Sequence, residues 1–363
     1  SATSFRLAES KIGDNNFLGN GISYPPNGRT GTNVLLGTKT MVPIDGPVHE
    51  NVGLLGSPAF EIPRKVDRDR DFNASFDEQT RLARLRQKNS HNFFTALIFL
   101  ASQGVPMFVT LVLGQAAFAN FDRFGIFAFF AASVAIIAVN MAFFIVLERA
   151  SLGFKPLKPQ LASVYDPYFW SHERYWKLLA QPILAMFAGT PFRGMLLRAL
   201  GMKVGAKLFD GGAGIPERSL VEVGDYANLN EGCVVQAHSL EEGVFKSDYI
   251  RLGNRCSVGP GCFVHYGVST GDDVVLDADS FLMKGEILDS CTGWCGNPAK
   301  LVRRQEAQAE VCVPARRRRH IPKRAIPGVN RMSIHHYYMP ENPVAKPFYA
   351  SFGFVEVGRG DIQ

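Results

Sequence analysis

Inward-type positions repeat every six residues in two parts of the chain. Leu252, Val258, Val264, Thr270, Leu276, Leu282 and Leu288 keep this step, and Gly253, Gly259 and Gly271 directly follow three of them. Val223, Leu229 and Val235 keep it too, before a break at residues 236–251. Six fits neither the helical period of about 3.6 nor the strand period of 2, but it fits a hexapeptide β-helix. There each short strand turns one side chain inward, small residues make the corners, and three strands close a coil. Ile12, Leu18, Tyr24, Thr30, Leu36, Val42 and Val48 show the same step near the start. A shift of 240 lays residues 12–59 on 252–299 without a gap. It places Gly13 on Gly253, Gly19 on Gly259, Gly31 on Gly271, Gly53 on Gly293, and Pro58-Ala59 on Pro298-Ala299. The pattern therefore predicts a mainly β chain holding one β-helical domain in two copies. Ser1 falls on Glu241, so the first copy is expected to be truncated. Because a solenoid needs a capped end, the natural polypeptide is expected to continue upstream.

A different pattern separates the copies. Asn92 to Ala119 is 28 residues without a charge and Phe124 to Leu147 is 24 more, joined by Asn120-Phe121-Asp122-Arg123. About 20 apolar residues cross a bilayer, which predicts a two-helix transmembrane hairpin. Gly104 and Pro106 are tolerated in a span because neighbouring helices re-satisfy the backbone. Arg81, Arg84, Arg86 and Lys88 precede the hairpin, and Arg149, Lys155 and Lys158 follow it. The positive-inside rule then puts both ends in the cytoplasm, giving a multi-pass membrane protein with both β-helical domains cytoplasmic. Aromatic and basic residues alternate from Tyr168 to Lys177, as in a helix lying at the interface or packed on the next domain.

Composition changes this picture little. Six cysteines in 363 residues are too few for a disulfide scaffold and indicate a reducing compartment. No metal is expected: Cys291 and Cys295 have no partner pair, and His335-His336 are adjacent. The basic run Arg316–Arg319 with Lys323 and Arg324 is expected to be a solvated linker with some lipid affinity; no nucleic acid partner is expected.

Chemistry has two histidine candidates in the second copy. His238 stands where the period breaks, and His265 lies beside inward Val264, next to a corner. Either imidazole suits a general base near neutral pH. Glu241, Lys246, Ser247 and Asp248 of the same loop are candidate substrate-binding groups, together with Tyr266 and Lys284. In the first copy Pro25 occupies the place of His265, so only the second copy is expected to be active.

Residues 168–300 resemble the terminal membrane region of nonribosomal peptide synthetases of the ε-poly-L-lysine synthetase type. The resemblance rests on Glu173-Arg174-Tyr175-Trp176-Lys177, Phe209-Asp210-Gly211-Gly212, Gln236-Ala237-His238-Ser239, Phe245-Lys246-Ser247-Asp248, Val264-His265-Tyr266-Gly267 and Phe281-Leu282-Met283-Lys284-Gly285. The ending Gly296-Asn297-Pro298-Ala299 is shared with many hexapeptide-repeat, left-handed β-helix acyltransferases. The resemblance implies amide-bond formation between an amine or amino acid and an aminoacyl group. The donor would be a phosphopantetheine thioester on a carrier domain, with acyl-CoA as the alternative. Adenylation and carrier domains, implied as upstream partners, are not in this sequence, and a non-catalytic membrane scaffold stays open. Residues 328–363, with Asn342 and Tyr349, resemble the closing segment of a GNAT-type N-acetyltransferase without its Gly-rich turn. The expected plan is a truncated β-helix (1–64), a basic linker (65–91), the hairpin (92–147), interfacial helices (148–200), the second β-helix (201–304), a basic linker (305–327) and the GNAT-like segment (328–363).

Overall fold

The computed structural model describes residues 7–64 and 77–304, all within one compact unit, Ser1–Cys312. The basic run at 316–324 and the GNAT-like segment lie outside the described residues.

The six-residue period is a coil of three short strands. Arg251 pairs with Ser269 and Ser269 with Ile287 on one face, Ser257 with Val275 on the next, and Val264 with Leu282 on the third, all parallel. Each pair is 18 residues apart, three hexads per coil. The inward column Leu252, Val258, Val264, Leu276, Leu282 and Leu288 is buried, joined by Val223, Leu229 and Val235. Corners are tight. A Cβ on Gly253 would stand 2.2 Å from the Gly271 carbonyl oxygen, so a side chain there would push the coils apart. Left-handed corner residues recur at the coil period: Arg255, Asp273 and Cys291 have φ of 55–59°.

Residues 7–64 are built the same way. Lys11 pairs with Arg29, Phe17 with Leu35 and Leu35 with Gly53, and adding 240 to each gives a pairing of the second segment. Its left-handed corners, Asn15, Asn33 and Asn51, fall on Arg255, Asp273 and Cys291, and asparagine enters that conformation at little cost. Its core is small: Val34, Leu36, Val42 and Leu54.

The expectation of a mainly β chain is corrected. Among the described residues about 35% are helical and about 24% are in strands. β-Helix strands are mostly two or three residues long and separated by turns, whereas the helices between the two segments are long. Helix α1 (Glu78–Ala119) is capped by Asp77, whose carboxylate accepts from Thr80 N at 3.1 Å. A short turn, α2 (Phe121–Phe124), leads to α3 (Ile126–Ser151). Both α1 and α3 are long and apolar enough to cross a membrane, and almost none of their apolar windows is buried. At 1.5 Å per residue α1 is about 63 Å long, twice a bilayer core. It begins well before the expected span, so much of the basic segment before residue 92 is helical. That charged end packs on helix α4 (Pro167–Lys177): Lys88 Nζ lies 2.9 Å from Glu173, and Arg174 Nε donates to Thr95 at 3.0 Å.

Residues 148–200 are not helical throughout. Gln160–Ser163 is a strand, followed by α4, α5 (Gln181–Met186) and α6 (Pro191–Ala199). Helix α4 packs on the β-helical domain through buried Phe169, Trp170 and Tyr175, and the Tyr175 hydroxyl donates to the Pro216 carbonyl at 2.6 Å. Burial raises the Tyr175 pKa far above its usual range, so this donor keeps its proton.

Candidate active site

The break in the period is a β-hairpin leaving the coil. Val221 pairs with Ile250 and Val234 with Phe263, a step of 29 residues where the later coils take 18. The extra length carries the strands His238–Glu241 and Val244–Ser247, paired antiparallel, with His238 opposite Ser247. Glu242 and Gly243 turn the chain with φ of 50° and 79°, the conformation of a two-residue hairpin turn. Gln160–Ser163 adds a third antiparallel strand along Val244–Ser247. Phe245 is buried under Phe169 and Trp170 of α4. The hairpin thus lies between the coil and the segment that follows the long helices.

At its base is a buried carboxylate. Glu217, wholly buried, follows the coil strand at residues 209–210 and precedes that at 221–223. Its Oε1 accepts from Trp176 Nε1 at 2.6 Å and lies 2.8 Å from His238 Nδ1 and 3.5 Å from His172 Nε2. Its Oε2 accepts from the Ala237 amide at 3.2 Å. Burial alone would raise the Glu217 pKa, but the imidazoles of His172 and His238 beside it outweigh burial and bring the carboxyl to about 2. Glu217 is therefore an anion at neutral pH. An anion 2.8 Å from His238 Nδ1 favours the tautomer with its proton there over the one with it on Nε2, through charge and proximity rather than an aligned hydrogen bond. Trp176 and Phe245 flank the His238 ring, with centroids 4.6 and 5.8 Å away, and fix its plane.

His265 is placed differently. It pairs with Gln236 in the coil, its ring is buried, and Nδ1 accepts from the Tyr266 amide at 3.1 Å. A backbone hydrogen bond to Gln236 occupies the ring as well. Burial first, then the charges of Lys284 and His238, lower its pKa to about 3. His265 thus accepts a backbone amide on Nδ1 from within the coil, on the strand that pairs with Val234–Gln236. A histidine buried neutral costs stability in acid, because the unfolded chain takes up a proton that the fold refuses. The contribution of His265 is full above its ordinary 6.5 and is lost as pH falls towards 3. His265→Gln is expected to flatten this acid limb, read from denaturant midpoints at pH 7 and pH 4; equal slopes for both proteins would refute it.

The other expected site residues separate into two groups. Glu241 binds Lys284 and lies 3.9 Å from Lys246, whose side chain is nearly buried, while Lys284 stands over the Tyr266 ring at 5.7 Å. These four form one charged cluster beside the hairpin. Ser247 is structural: its hydroxyl accepts from the Gln160 amide at 3.1 Å and ties in the third strand. Asp248 is exposed, and its carboxylate accepts from the next amide, Tyr249, at 2.7 Å. Glu217, His172 and Trp176 stand at this candidate site without having been expected as site groups, although Trp176 lies in one of the stretches that carry the resemblance. Glu217 belongs to a stretch with no hexad register, and His172 and Trp176 read as one face of an amphipathic helix.

No family model matches the chain. It is 23% identical over 305 residues to the delta-poly-L-ornithine synthetase of Acinetobacter baumannii strain AB307-0294; the match takes in 81% of this chain and 22% of that protein. Among solved structures, a maltose O-acetyltransferase from Clostridium difficile 630 is similar at 16% identity over 44% of this chain and 97% of its own, with a TM-score of 0.33. A galactoside acetyltransferase in complex with coenzyme A is similar at 15% identity over 42% of this chain and 89% of its own, with a TM-score of 0.34.

Proposed function

We propose that this chain is the membrane-anchored part of a larger peptide-polymer synthetase, and that its second β-helical segment forms the amide bond. The observation that carries this reading is the Glu217–His238 pair, a buried carboxylate 2.8 Å from an imidazole at the base of a projecting hairpin. A carboxylate that fixes the tautomer of a histidine base is what acyl transfer to an amine requires. His238 Nε2 takes a proton from the acceptor amine as its nitrogen attacks the thioester carbonyl. The carbon–sulfur bond then breaks, and the imidazolium returns the proton to the leaving thiolate. Lys246 and Lys284 outweigh Glu241 by one charge, which suits the phosphate of a pantetheine arm.

The donor is an aminoacyl pantetheine thioester on a carrier domain, supported by the similarity to a poly-ornithine synthetase and by the resemblance to the ε-poly-L-lysine type. The matching registers of residues 7–64 and 251–304 support reading the first segment as a second, incomplete copy of the same domain. The lengths of α1 and α3 and the basic residues beside them support a hairpin through the bilayer, with both β-helical segments cytoplasmic.

The test supplies the purified chain, in lipid nanodiscs, with lysyl- or ornithyl-pantetheine thioester and a free diamino acid. Amide product at a rate well above that of the thioester and amine alone is expected. Product only when acyl-CoA replaces the pantetheine thioester would move the reading to a membrane-tethered acyltransferase. No product with either donor would leave a scaffold.

A further inference from the structure

The hairpin needs support on both sides. A two-stranded excursion is marginal on its own in water. Val244–Ser247 is covered by Gln160–Ser163, but His238–Glu241, the strand that carries the base, is the edge of this three-stranded sheet. The first β-helical segment reaches both ends of that edge strand.

At the tip, Arg64 Nη1 donates to Glu242 at 2.6 Å, with the arginine side chain only 9% exposed. The same guanidinium donates to the carbonyls of Asn33 at 2.9 Å and Asn15 at 3.2 Å, two of the left-handed corners of the first segment. At the base, Asn20 Nδ2 donates to Gln236 Oε1 at 3.3 Å, and Gln236 Nε2 donates to the His238 carbonyl at 3.1 Å. Between these points the two bodies are locked together. Lys39 Nζ donates to the Gly261 carbonyl at 2.7 Å and pairs with Asp279, while Asn297 Nδ2 donates to the Lys39 carbonyl at 2.6 Å. Lys39 meets Asp279 and Ser57 meets Asn297, each partner 240 residues away. Equivalent positions of the two segments therefore face each other, as in a self-complementary dimer interface.

We propose that the first β-helical segment is a clamp that positions the base-bearing hairpin of the second, through Arg64 on Glu242 and Asn20 on Gln236. This rests on the reading of His238 as the base, and Arg64 and Asn20 are positioning residues that act through the hairpin. With Pro25 in the place of His265, the first segment contributes support where the second contributes chemistry.

The experiment uses the whole chain in nanodiscs with two readouts. In hydrogen exchange, Arg64→Ala is expected to speed exchange of residues 238–247 at least tenfold and leave residues 263–282 unchanged. In amide formation it is expected to lower kcat about tenfold with KM within twofold, since position and not contact is lost. Arg64→Lys should recover part of the rate, and the exchange Arg64→Glu with Glu242→Arg should recover more than either change alone. Unchanged exchange in the hairpin overturns the clamp, whether or not the amide assay works. Faster exchange throughout both segments would make Arg64 a general stability residue and would also overturn it. If exchange responds as expected but His238→Ala leaves amide formation intact, the reading of the base fails and the clamp stands.

Discussion

Replacement of His238 by alanine is expected to lower amide formation by about 10²–10⁴-fold, the range that one positioned general base supplies. Glu217→Gln is expected to come close to this, up to about 10⁴-fold, although its side chain never meets the substrate. The reason is the tautomer. The carboxylate can only accept, so at 2.8 Å it favours the His238 tautomer with the proton on Nδ1 and the lone pair on Nε2. An amide at the same place can donate to Nδ1, moving the imidazole proton to Nε2 and removing the base. Trp176 Nε1 donates to the same oxygen at 2.6 Å, so an amide nitrogen turned to Nδ1 also gives up the indole, which then keeps its place by packing on Phe169 and Phe245. Because the two groups act as a unit, the double variant should be no slower than the slower single variant. Either single variant within tenfold of the wild-type rate, or a double variant showing the product of both losses, would sink the assignment. A second readout separates the carboxylate from general damage. Glu217 is held at about 2, below its ordinary 4.5, so its stabilising contribution is present above pH 4.5 and is lost as pH falls towards 2. That limb should disappear in Glu217→Gln.

Much of this arrangement can be read in the sequence, and the rest has physical reasons for being hidden. The step of six from Leu252 to Leu288 is visible because each coil must send an aliphatic inward at each face, and burial enforces it without exception beyond the half-buried Thr270. His238 stands out because it sits where that step fails. The break at residues 236–251 reads as a loop, and that it is a β-hairpin shows only in the pairing of His238–Glu241 with Val244–Ser247. Glu217 was not legible. It comes 21 residues before His238, and only the stacking of coils brings the two within 2.8 Å. Gln160–Ser163 was hidden for a related reason, since four residues with no alternation become a strand only when Val244–Ser247 offers an edge. His265 is legible as a histidine beside an inward valine, but not that its Nδ1 accepts from the next backbone amide, because that contact depends on the corner geometry. The contact between Arg64 and Glu242 spans 178 residues, and no local pattern announces it.

The second large effect is structural. Arg218, the residue after Glu217, forms a buried ion pair with Glu148 near the end of α3, and both side chains are 1% exposed. The other oxygen of Glu148 accepts from the Ala180 amide at 2.7 Å, just before α5. One carboxylate thus ties the end of a long apolar helix to the coil and to the segment that follows. Removing one member strands the other charge in a dry interior, which costs about 3–5 kcal/mol. Arg218→Met and Glu148→Leu should each destabilise the chain by that amount in denaturant melts in detergent. The double variant should regain part of the loss, because two apolar side chains of similar size can fill the space without a buried charge. The Ala180 amide remains orphaned in the double variant, so about 1–3 kcal/mol of deficit should persist. Single variants within about 1 kcal/mol of wild type would mean that the pair is solvated and does not join α3 to the domain. The pair also bears on catalysis through the peptide bond between residues 217 and 218. Once Arg218 lets go of α3, the Glu217 backbone is free to shift, and a displacement of 1 Å at a positioning group can cost about 10² in rate. Arg218→Met should therefore lose activity even at temperatures where the chain stays folded, and the double variant should recover stability without recovering rate. Equal recovery of both would confine the ion pair to stability and leave the dyad independent of the helices beside it.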